Sequence, residues 1–363
     1  MKKIYIALVI LITATFCNKI YAQTEVLSAT VQQGDKTSIF YGADAFVEAI
    51  KIVKDSTDVI NLSSGTFNST TINKACIIYG AGFERDTVRN VYPTILGSVG
   101  IIPDLAPDDE GNMVNEEGAL DGLHIEGIYF SECFSKGRNP KASTLSNILF
   151  KRCYFNKLAF WDWDSNSAAS TYLHNLKIVN CVIGTLLHDP AAKNAGVYNC
   201  IIGKSMCINT SYCKELIIKN CIIFKADNFG CVYKDNIFMS NNNYDFDDDK
   251  ETASFFSHNI ATNADYFKNI DENRNENNWA GKTSIGIFGE DVGNGYDSKY
   301  SYKLKEGNAS IYVGSDGKEV GIYGGDYPFS KIPSNPQILS KEIDVQTTTD
   351  GKLKVSVKIE AQP

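Results

Sequence analysis

The sequence predicts an all-β protein built as a solenoid, in which similar coils of the chain stack on one another. The dipeptide Asn-Cys recurs in one phase, within KIVNCVIG at 177–184, VYNCIIG at 197–203 and KNCII at 219–223. Each copy follows a short apolar strand whose side chains alternate, and helical periodicity is scarce elsewhere. These three observations favour short stacked strands over helices.

The repeat extends beyond these three copies. A period of about 20 to 28 residues with short strands and variable loops is typical of a β-solenoid. Placing the cysteines in register predicts six equivalent positions, separated by 25, 28, 19, 21 and 16 residues: Ile128, Cys153, Cys181, Cys200, Cys221 and Ile237.

A sharp corner is expected immediately before each equivalent position. Asn180, Asn199, Asn220 and, in the early copy, Gly127 stand there. Asparagine and glycine adopt the left-handed backbone conformation at low cost. Because stacked strands lie about 4.8 Å apart, we expect the asparagines to form a ladder of amide on amide.

The cysteines are expected to stack inside the solenoid. In an exported protein disulfides are the usual state, but stacked side chains point the same way and do not face each other. We therefore predict buried free thiols at Cys153, Cys181, Cys200 and Cys221. Both states stay open for five cysteines off this ladder: Cys76, Cys133, Cys207, Cys213 and Cys231.

Three segments are predicted along the chain. Residues 1–23, MKKIYIALVILITATFCNKIYAQ, combine a lysine pair, an apolar run too short to span a bilayer and a small and polar end, as in a cleaved signal peptide. A lipoprotein signal would use Cys17, but Phe16 precedes it where a small residue is normal. We expect the solenoid at 24–330, with an elaborated loop region at 240–300, and a C-terminal extension at 331–363.

The charge of the chain limits its partners. Its formal net charge is −8, which becomes −11 when residues 1–23 and their three lysines are removed. Nucleic-acid binding needs a basic face, and no suitable cluster of Lys and Arg is present, so we expect no nucleic-acid partner. An acidic polymer could bind only through a local basic patch or bridging cations. Export without a transmembrane segment predicts a periplasmic, cell-surface or extracellular location.

Two further segments, with the repeat, resemble right-handed parallel β-helix proteins of the pectin-lyase-like superfamily. DAFVEAIKIVK at 44–54 is similar to the opening amphipathic helix of that family, with Asp44 as its N-cap. YKLKEGNASIYVGSDGKEVGIYGGDYPF at 302–329 is similar to the last coil of secreted β-helix proteins of Gram-negative bacteria, although Asn308, Ala309 and Ser310 replace a stretch similar to Ser-Pro-Ala. The resemblance implies a single-stranded right-handed parallel β-helix capped by the helix. Residues 342–361 predict a β-hairpin that turns near Asp350-Gly351.

The resemblance also implies where to search for a site, namely on strand faces and on loops that leave the coils. Subtracting 25 from Trp161 and Trp163, and adding 28 to Phe160 and Trp161, predicts one shared corner. Aromatic rings would stack on sugars, cationic side chains would hold a uronate, and carboxylates or His would act as acid or base. The sugar-binding candidates are Trp161, Trp163 and Asp189, and the catalytic candidates are Lys136, Arg138, Asp162, Asp164 and His188. The alternative is that FWDWD folds against the solenoid as an ordinary loop.

A second candidate site is the acidic run YDFDDDKE at 244–251. Asp245, Asp247 and Asp249, with Glu251, alternate there, and oxygen clusters suit calcium. It lacks the glycine and the final glutamate of an EF-hand loop, and a solvated acidic loop is the alternative. We expect His124 and His174, at strand starts, to be partly buried structural residues.

Three functions are compatible with the sequence. The first is an exported protein that binds polysaccharide without catalysis. The second is a polysaccharide lyase or glycoside hydrolase that acts on acidic glycans at the Trp161 corner. The third is an adhesive or structural solenoid in which the C-terminal hairpin mediates assembly.

Overall fold

A computed structural model describes residues 26–107, 109–111, 113–116, 118–136, 143–161, 171–188, 192–207, 216–227, 231–240, 254–343 and 351–360. The fold is mostly β, and most strands lie in long parallel sheets. The predicted all-β class is therefore confirmed. The predicted signal peptide lies outside the described residues.

The strands are numbered in chain order. The first group is β1 (Ser28–Gln33), β2 (Lys36–Tyr41), β3 (Val59–Leu62), β4 (Gly65–Phe67), β5 (Ile77–Tyr79), β6 (Thr94–Gly100), β7 (Leu105–Pro107) and β8 (Met113–Asn115). The second is β9 (His124–Glu126), β10 (Ile128–Lys136), β11 (Ser143–Ser146), β12 (Leu149–Lys151), β13 (Tyr154–Trp161), β14 (Thr171–His174), β15 (Lys177–Val179), β16 (Val182–His188), β17 (Ala192–Lys193), β18 (Ala195–Tyr198) and β19 (Ile201–Cys207). The third is β20 (Leu216–Lys219), β21 (Ile222–Ile223), β22 (Ala226–Asp227), β23 (Val232–Lys234), β24 (Ile237–Phe238), β25 (Phe255–Ser257), β26 (Ile260–Ala261), β27 (Asn275–Glu276), β28 (Gln337–Ile343) and β29 (Val355–Glu360).

Two long sheets and one short sheet carry the repeat. The twelve-stranded sheet has the order β2-β1-β3-β5-β9-β12-β15-β18-β20-β23-β25-β27, and the three-stranded sheet has the order β11-β14-β17. The ten-stranded sheet follows β26-β24-β21-β19-β16-β13-β10-β6-β4, with β22 beside β19. From β9 to β19 the chain visits the twelve-, ten- and three-stranded sheets in that order and then starts again. Each strand therefore pairs in parallel with its equivalent in the next coil.

Short helices lie at both ends of this arrangement. Helix α1 (Ala45–Ile52) buries Phe46, Ala49 and Ile50, and it packs against β1. Asp44 occupies its N-cap position as predicted, but the carboxylate accepts from Asn68 Nδ2 at 2.7 Å and does not cap the helix. Helices α2 (Ser284–Phe288) and α3 (Asn308–Ile311) follow, with a 3₁₀ turn at Glu272–Arg274. Within the described ranges, no helix has the length and apolar character needed to cross a membrane.

The C-terminal pair β28 and β29 is antiparallel and forms a sheet of its own. It begins at Gln337, five residues before the predicted hairpin, and the predicted turn at Asp350 lies outside the described residues. One side of β29 exposes Val355, Val357 and Ile359 to solvent.

The predicted corners are confirmed. Gly127, Asn180, Asn199 and Asn220 all have positive φ angles, between 51° and 73°. The equivalent positions in other coils have positive φ as well, although they carry less typical residues: Arg152, Asp235, His258 and Asn277. Each corner turns the chain from the twelve-stranded sheet into the ten-stranded sheet.

The predicted amide ladder at Asn199 and Asn220 is wrong. Asn199 Nδ2 donates to the carbonyl oxygens of Ile322 and Gly324 at 2.9 and 2.7 Å, and Asn220 donates to the same segment. Amides need acceptors, and carbonyl groups of a packed C-terminal segment reach these two corners before a neighbouring amide can. Amide contacts between coils occur elsewhere, from Asn259 to Asn278, from Asn236 to Asn259 and from Asn175 to Asn147.

The predicted thiol stack is confirmed, and it has a hydrogen-bonding role. Cys153, Cys181, Cys200 and Cys221 are free and fully buried. In each pair, the N–H of one cysteine donates to the Sγ of the next, at 3.4, 3.2 and 3.4 Å along the stack. Of the remaining five cysteines, the structure describes three as free and buried, namely Cys76, Cys133 and Cys231.

Asparagine continues this stack where cysteine stops. The Cys221 N–H donates to Asn236 Oδ1 at 2.8 Å, and the same bond continues to Asn259 and Asn278. The predicted equivalence of Ile237 with Cys221 is therefore wrong by one residue, because Ile237 pairs with Ile222. The coil between the two positions is one residue shorter than the alignment assumed.

Residues 279–335, here called the C-terminal strap, cover one row of the ten-stranded sheet. The row consists of the first outward side chain of each strand, including Tyr154, Val182, Ile201 and Ile222. Strap side chains bury this row in a second apolar core: Ile287, Phe288, Val292, Tyr302, Tyr312, Val320, Ile322 and Phe329.

Two buried carboxylates hold the strap. Asp235 accepts the N–H and hydroxyl of Ser315 at 2.7 and 2.8 Å. Glu126 accepts the same two groups of Ser334 at 2.8 and 2.7 Å. Both carboxylates are fully buried, so these bonds replace the water that burial removes.

Charged neighbours complete the Glu126 site. Arg152 Nη1 lies 3.1 Å from one oxygen, and His124 Nε2 lies 3.4 Å from the other. Burial acts to raise the pKa of Glu126, but bonds from His124 and Ser334 and the charge of Lys151 lower that pKa to about 2. His124 and His174 are both partly buried, and His124 has the structural role that we expected.

Replacing Cys200 tests the stack. Cys200→Ala leaves the buried Cys181 N–H without its acceptor, which costs about 1–3 kcal/mol and lowers the urea midpoint. Cys200→Asn should retain most of the stability, because Asn236 accepts an N–H and donates to Ile218 as Cys200 does to Ile178. Equal midpoints for the two variants would show that the thiol serves only as apolar filling.

Lowering the pH tests the Glu126 latch. The pKa is depressed from its ordinary value of 4.5, so the stabilisation is complete above pH 4.5 and is lost as the pH falls towards 2. Compared with Glu126→Gln, the wild type should be more stable at pH 7 by up to about 3 kcal/mol. Urea titrations of both proteins at pH 7, 4 and 2.5 should show that advantage shrinking, and an advantage independent of pH would contradict the assignment.

Candidate functional site

The structure brings the backbones of three predicted site residues to adjacent strand ends. Lys136, at the end of β10, is in register with Trp161, at the end of β13. Phe160 is in register with His188, at the end of β16. The offsets of 25 and 28 residues are therefore confirmed for the backbone. The row that contains Phe160 is buried, whereas Lys136 and Trp161 share the following row.

The other predicted site residues lie outside the described residues. These are Arg138, Asp162, Trp163, Asp164 and Asp189, together with the calcium candidates Asp245, Asp247 and Asp249. Among the described residues, no group of three or more His, Cys, Asp or Glu side chains is arranged to hold a metal ion. Their roles stay predictions.

A row of polar side chains crosses the outer face of the same sheet, and the sequence reasoning missed it. It is formed by Ser98, Glu132, Lys157, Thr185 and Lys204, one on each of five neighbouring strands. We call it the polar row. Because neighbouring strands are about 4.8 Å apart, it extends over about 20 Å along the stack of coils.

Ionic contacts order part of the polar row. Lys157 Nζ lies 2.7 Å from Glu132 Oε1, and Ser98 Oγ donates to Glu132 Oε2 at 3.2 Å. Both charged side chains remain about one-third exposed, at 32% and 33%. Two ammonium groups and one carboxylate thus give this patch a local positive excess in an acidic protein.

Glycines bend the strands immediately before the polar row. A Cβ atom on Gly184 would lie 2.5 Å from the carbonyl oxygen of Asn156, and one on Gly203 would lie 2.6 Å from that of Gly184. Only glycine permits such close backbone approach. The sequence carried this signal in Ile183-Gly184-Thr185 and Ile202-Gly203-Lys204, where glycine precedes a polar residue in two consecutive coils.

The polar row lies between two different surfaces. On the side of the strand starts, the C-terminal strap covers Tyr154, Val182 and Ile201. On the side of the strand ends, the next outward row contains Phe134 and Leu187, both partly exposed, before Lys136 and Trp161. A long ligand on this face would therefore meet charged groups, hydroxyls and an apolar strip together.

Comparison with known proteins assigns no family. No family model, curated protein or solved structure matches the chain. The site has to be judged from its own geometry and chemistry.

Replacing Gly203 tests the backbone bend. Gly203→Ala places a methyl group 2.6 Å from the Gly184 carbonyl, so β16 and β19 must move apart and the free energy of unfolding should fall by about 1–3 kcal/mol. Gly295→Ala is the matched control, because no atom lies within 4 Å of its added Cβ. Thermal midpoints of both variants check this, and equal midpoints would show that the close approach carries no constraint.

Proposed function

We propose that the protein is an exported right-handed parallel β-helix that binds acidic polysaccharide on the polar row. The repeated passage through three sheets supports the helical part of this proposal, because connections between parallel strands are right-handed in nearly all proteins. Helix α1 would cover the first coil, and the composition of residues 1–23 supports export.

The observation that carries the binding proposal is the open polar row itself. Lys157 and Lys204 lie two strands apart, about 10 Å, a spacing that suits carboxylates on alternate sugars of an extended chain. Thr185 and Ser98 supply hydroxyl groups between and beyond them. Lys and Arg side chains hold carboxylates well where part of the surrounding water is excluded.

The strand ends extend the proposed surface. Lys136 would add a cation and Trp161 an aromatic face for a sugar ring, as the sequence predicts. In the enzymatic alternative, Arg138, Asp162 or Asp164 would supply the chemistry next to this surface. Both versions share the polar row as the contact with the glycan.

The proposal is tested by glycan retention. The double variant Lys157→Ala/Lys204→Ala should be retained about tenfold more weakly on immobilised polygalacturonate at low salt, where ~1.4 kcal/mol corresponds to one factor of ten. Retention of the wild type should fall as salt rises. Lys268→Ala/Lys299→Ala removes two exposed lysines elsewhere and is the matched control.

Two further results decide the outcome. Equal retention of the double variant and the wild type would remove the polar row as the glycan contact. Trp161→Ala separately tests the strand end. Following reducing ends and unsaturated uronic ends in the same mixtures tests the alternative: new ends that disappear in Asp162→Asn or Arg138→Ala would make the protein an enzyme.

A further inference from the structure

A second cleft lies apart from the polar row, where the loop after β5 meets the C-terminal strap. It has a volume of about 360 Å³. One wall comes from residues 81–89 and the other from Lys331, Ile332 and Pro333. Its size falls within the range of small-molecule sites, and it suits a ligand of one or two sugar units.

Arg85 is held in place at this cleft. Its guanidinium carbon lies 4.6 Å from the centre of the Tyr92 ring, and its Nη2 donates to Asn90 Oδ1 at 2.8 Å. Stacking and one hydrogen bond fix the plane of the group, which leaves other N–H donors for a ligand. In the described part of the chain, no carboxylate forms an ion pair with Arg85.

The two carboxylates in the cleft wall are already engaged. Glu84 accepts from Lys331 Nζ at 2.6 Å and from the Tyr296 hydroxyl at 2.7 Å. Asp86 accepts the N–H groups of Val88 and Arg89 at 2.9 and 3.0 Å, and its other oxygen meets the Arg89 guanidinium at 3.4 Å.

Three cations therefore face two carboxylates in this cleft. The positive excess falls on Arg85, since the other two cations pair with Glu84 and Asp86. A planar carboxylate matches a guanidinium group by two parallel hydrogen bonds, and a pre-positioned guanidinium loses little freedom on binding.

The rest of the cleft is apolar. Val88 is 94% exposed, and Ile332 and Pro333 form the opposite side. A small inorganic anion would leave these groups in water, whereas a sugar ring presents C–H groups to them. The ligand should thus combine a carboxylate with an apolar ring face.

From this combination we propose that the cleft binds a uronate, a sugar that carries a carboxylate, with Arg85 as the carboxylate contact. The site goes beyond the proposed polysaccharide surface, because it recognises one sugar unit and shares no residue with the polar row. Its two walls lie about 250 residues apart in the sequence, so a bound uronate also ties the strap to the loop.

Calorimetric titration with glucuronate and galacturonate tests the proposal. The wild-type protein should bind at least one of them, with a rise in thermal midpoint, while glucose and the uronate methyl ester should not bind. Arg85→Ala should weaken binding at least tenfold. Arg85→Lys keeps the charge but loses the flat, stacked fork, so it should also weaken binding. Arg274→Ala, at the 3₁₀ turn, is the matched control and should bind as the wild type does.

The possible results separate this site from the polysaccharide surface. Binding that survives in Lys157→Ala/Lys204→Ala but not in Arg85→Ala supports the cleft whatever the retention experiment shows. Absence of binding by both uronates, or unchanged binding in Arg85→Ala, overturns the proposal. Inorganic phosphate that binds as tightly as the uronates would overturn the sugar assignment and leave only an anion site.

Discussion

The architecture depends on one hydrogen bond that is repeated in every coil. Where the chain leaves a corner in the left-handed conformation, the following N–H points along the stack and is buried. A buried N–H needs an acceptor, and the side chain at the same position of the next coil supplies it. Cysteine sulfur and asparagine oxygen both satisfy this need, which explains why the two residue types follow one another along a single stack.

This constraint also explains the variation among the coils. The side chain has to be small enough for the interior, and it has to accept from one coil and donate to the carbonyl two residues before the corner. Asparagine does this with its amide and cysteine with its S–H group. The loops between the corners are free of this requirement, and their lengths accordingly differ from coil to coil.

The strap decides which parts of the solenoid surface remain available. It satisfies Asn199 and Asn220 with its carbonyl groups and satisfies the buried carboxylates with two serines. It covers the apolar row and stops short of the polar row. At its far end Pro333 packs on Gly127, where an added Cβ would lie 2.6 Å from the proline ring. The uronate cleft lies at this same end, so both proposed binding surfaces border the strap.

The sequence by itself determined the all-β class, the corners, the free thiol stack and the register of Lys136 with Trp161. These features follow from local rules: left-handed backbone favours Asn and Gly, and equal spacing in parallel coils places equivalent residues side by side. Only the tertiary structure decided the partners of the corner asparagines, the latch at Glu126 and the cleft at Arg85. Their contacts join segments that lie 100 to 250 residues apart, and no spacing within a repeat encodes where a returning strap will lie.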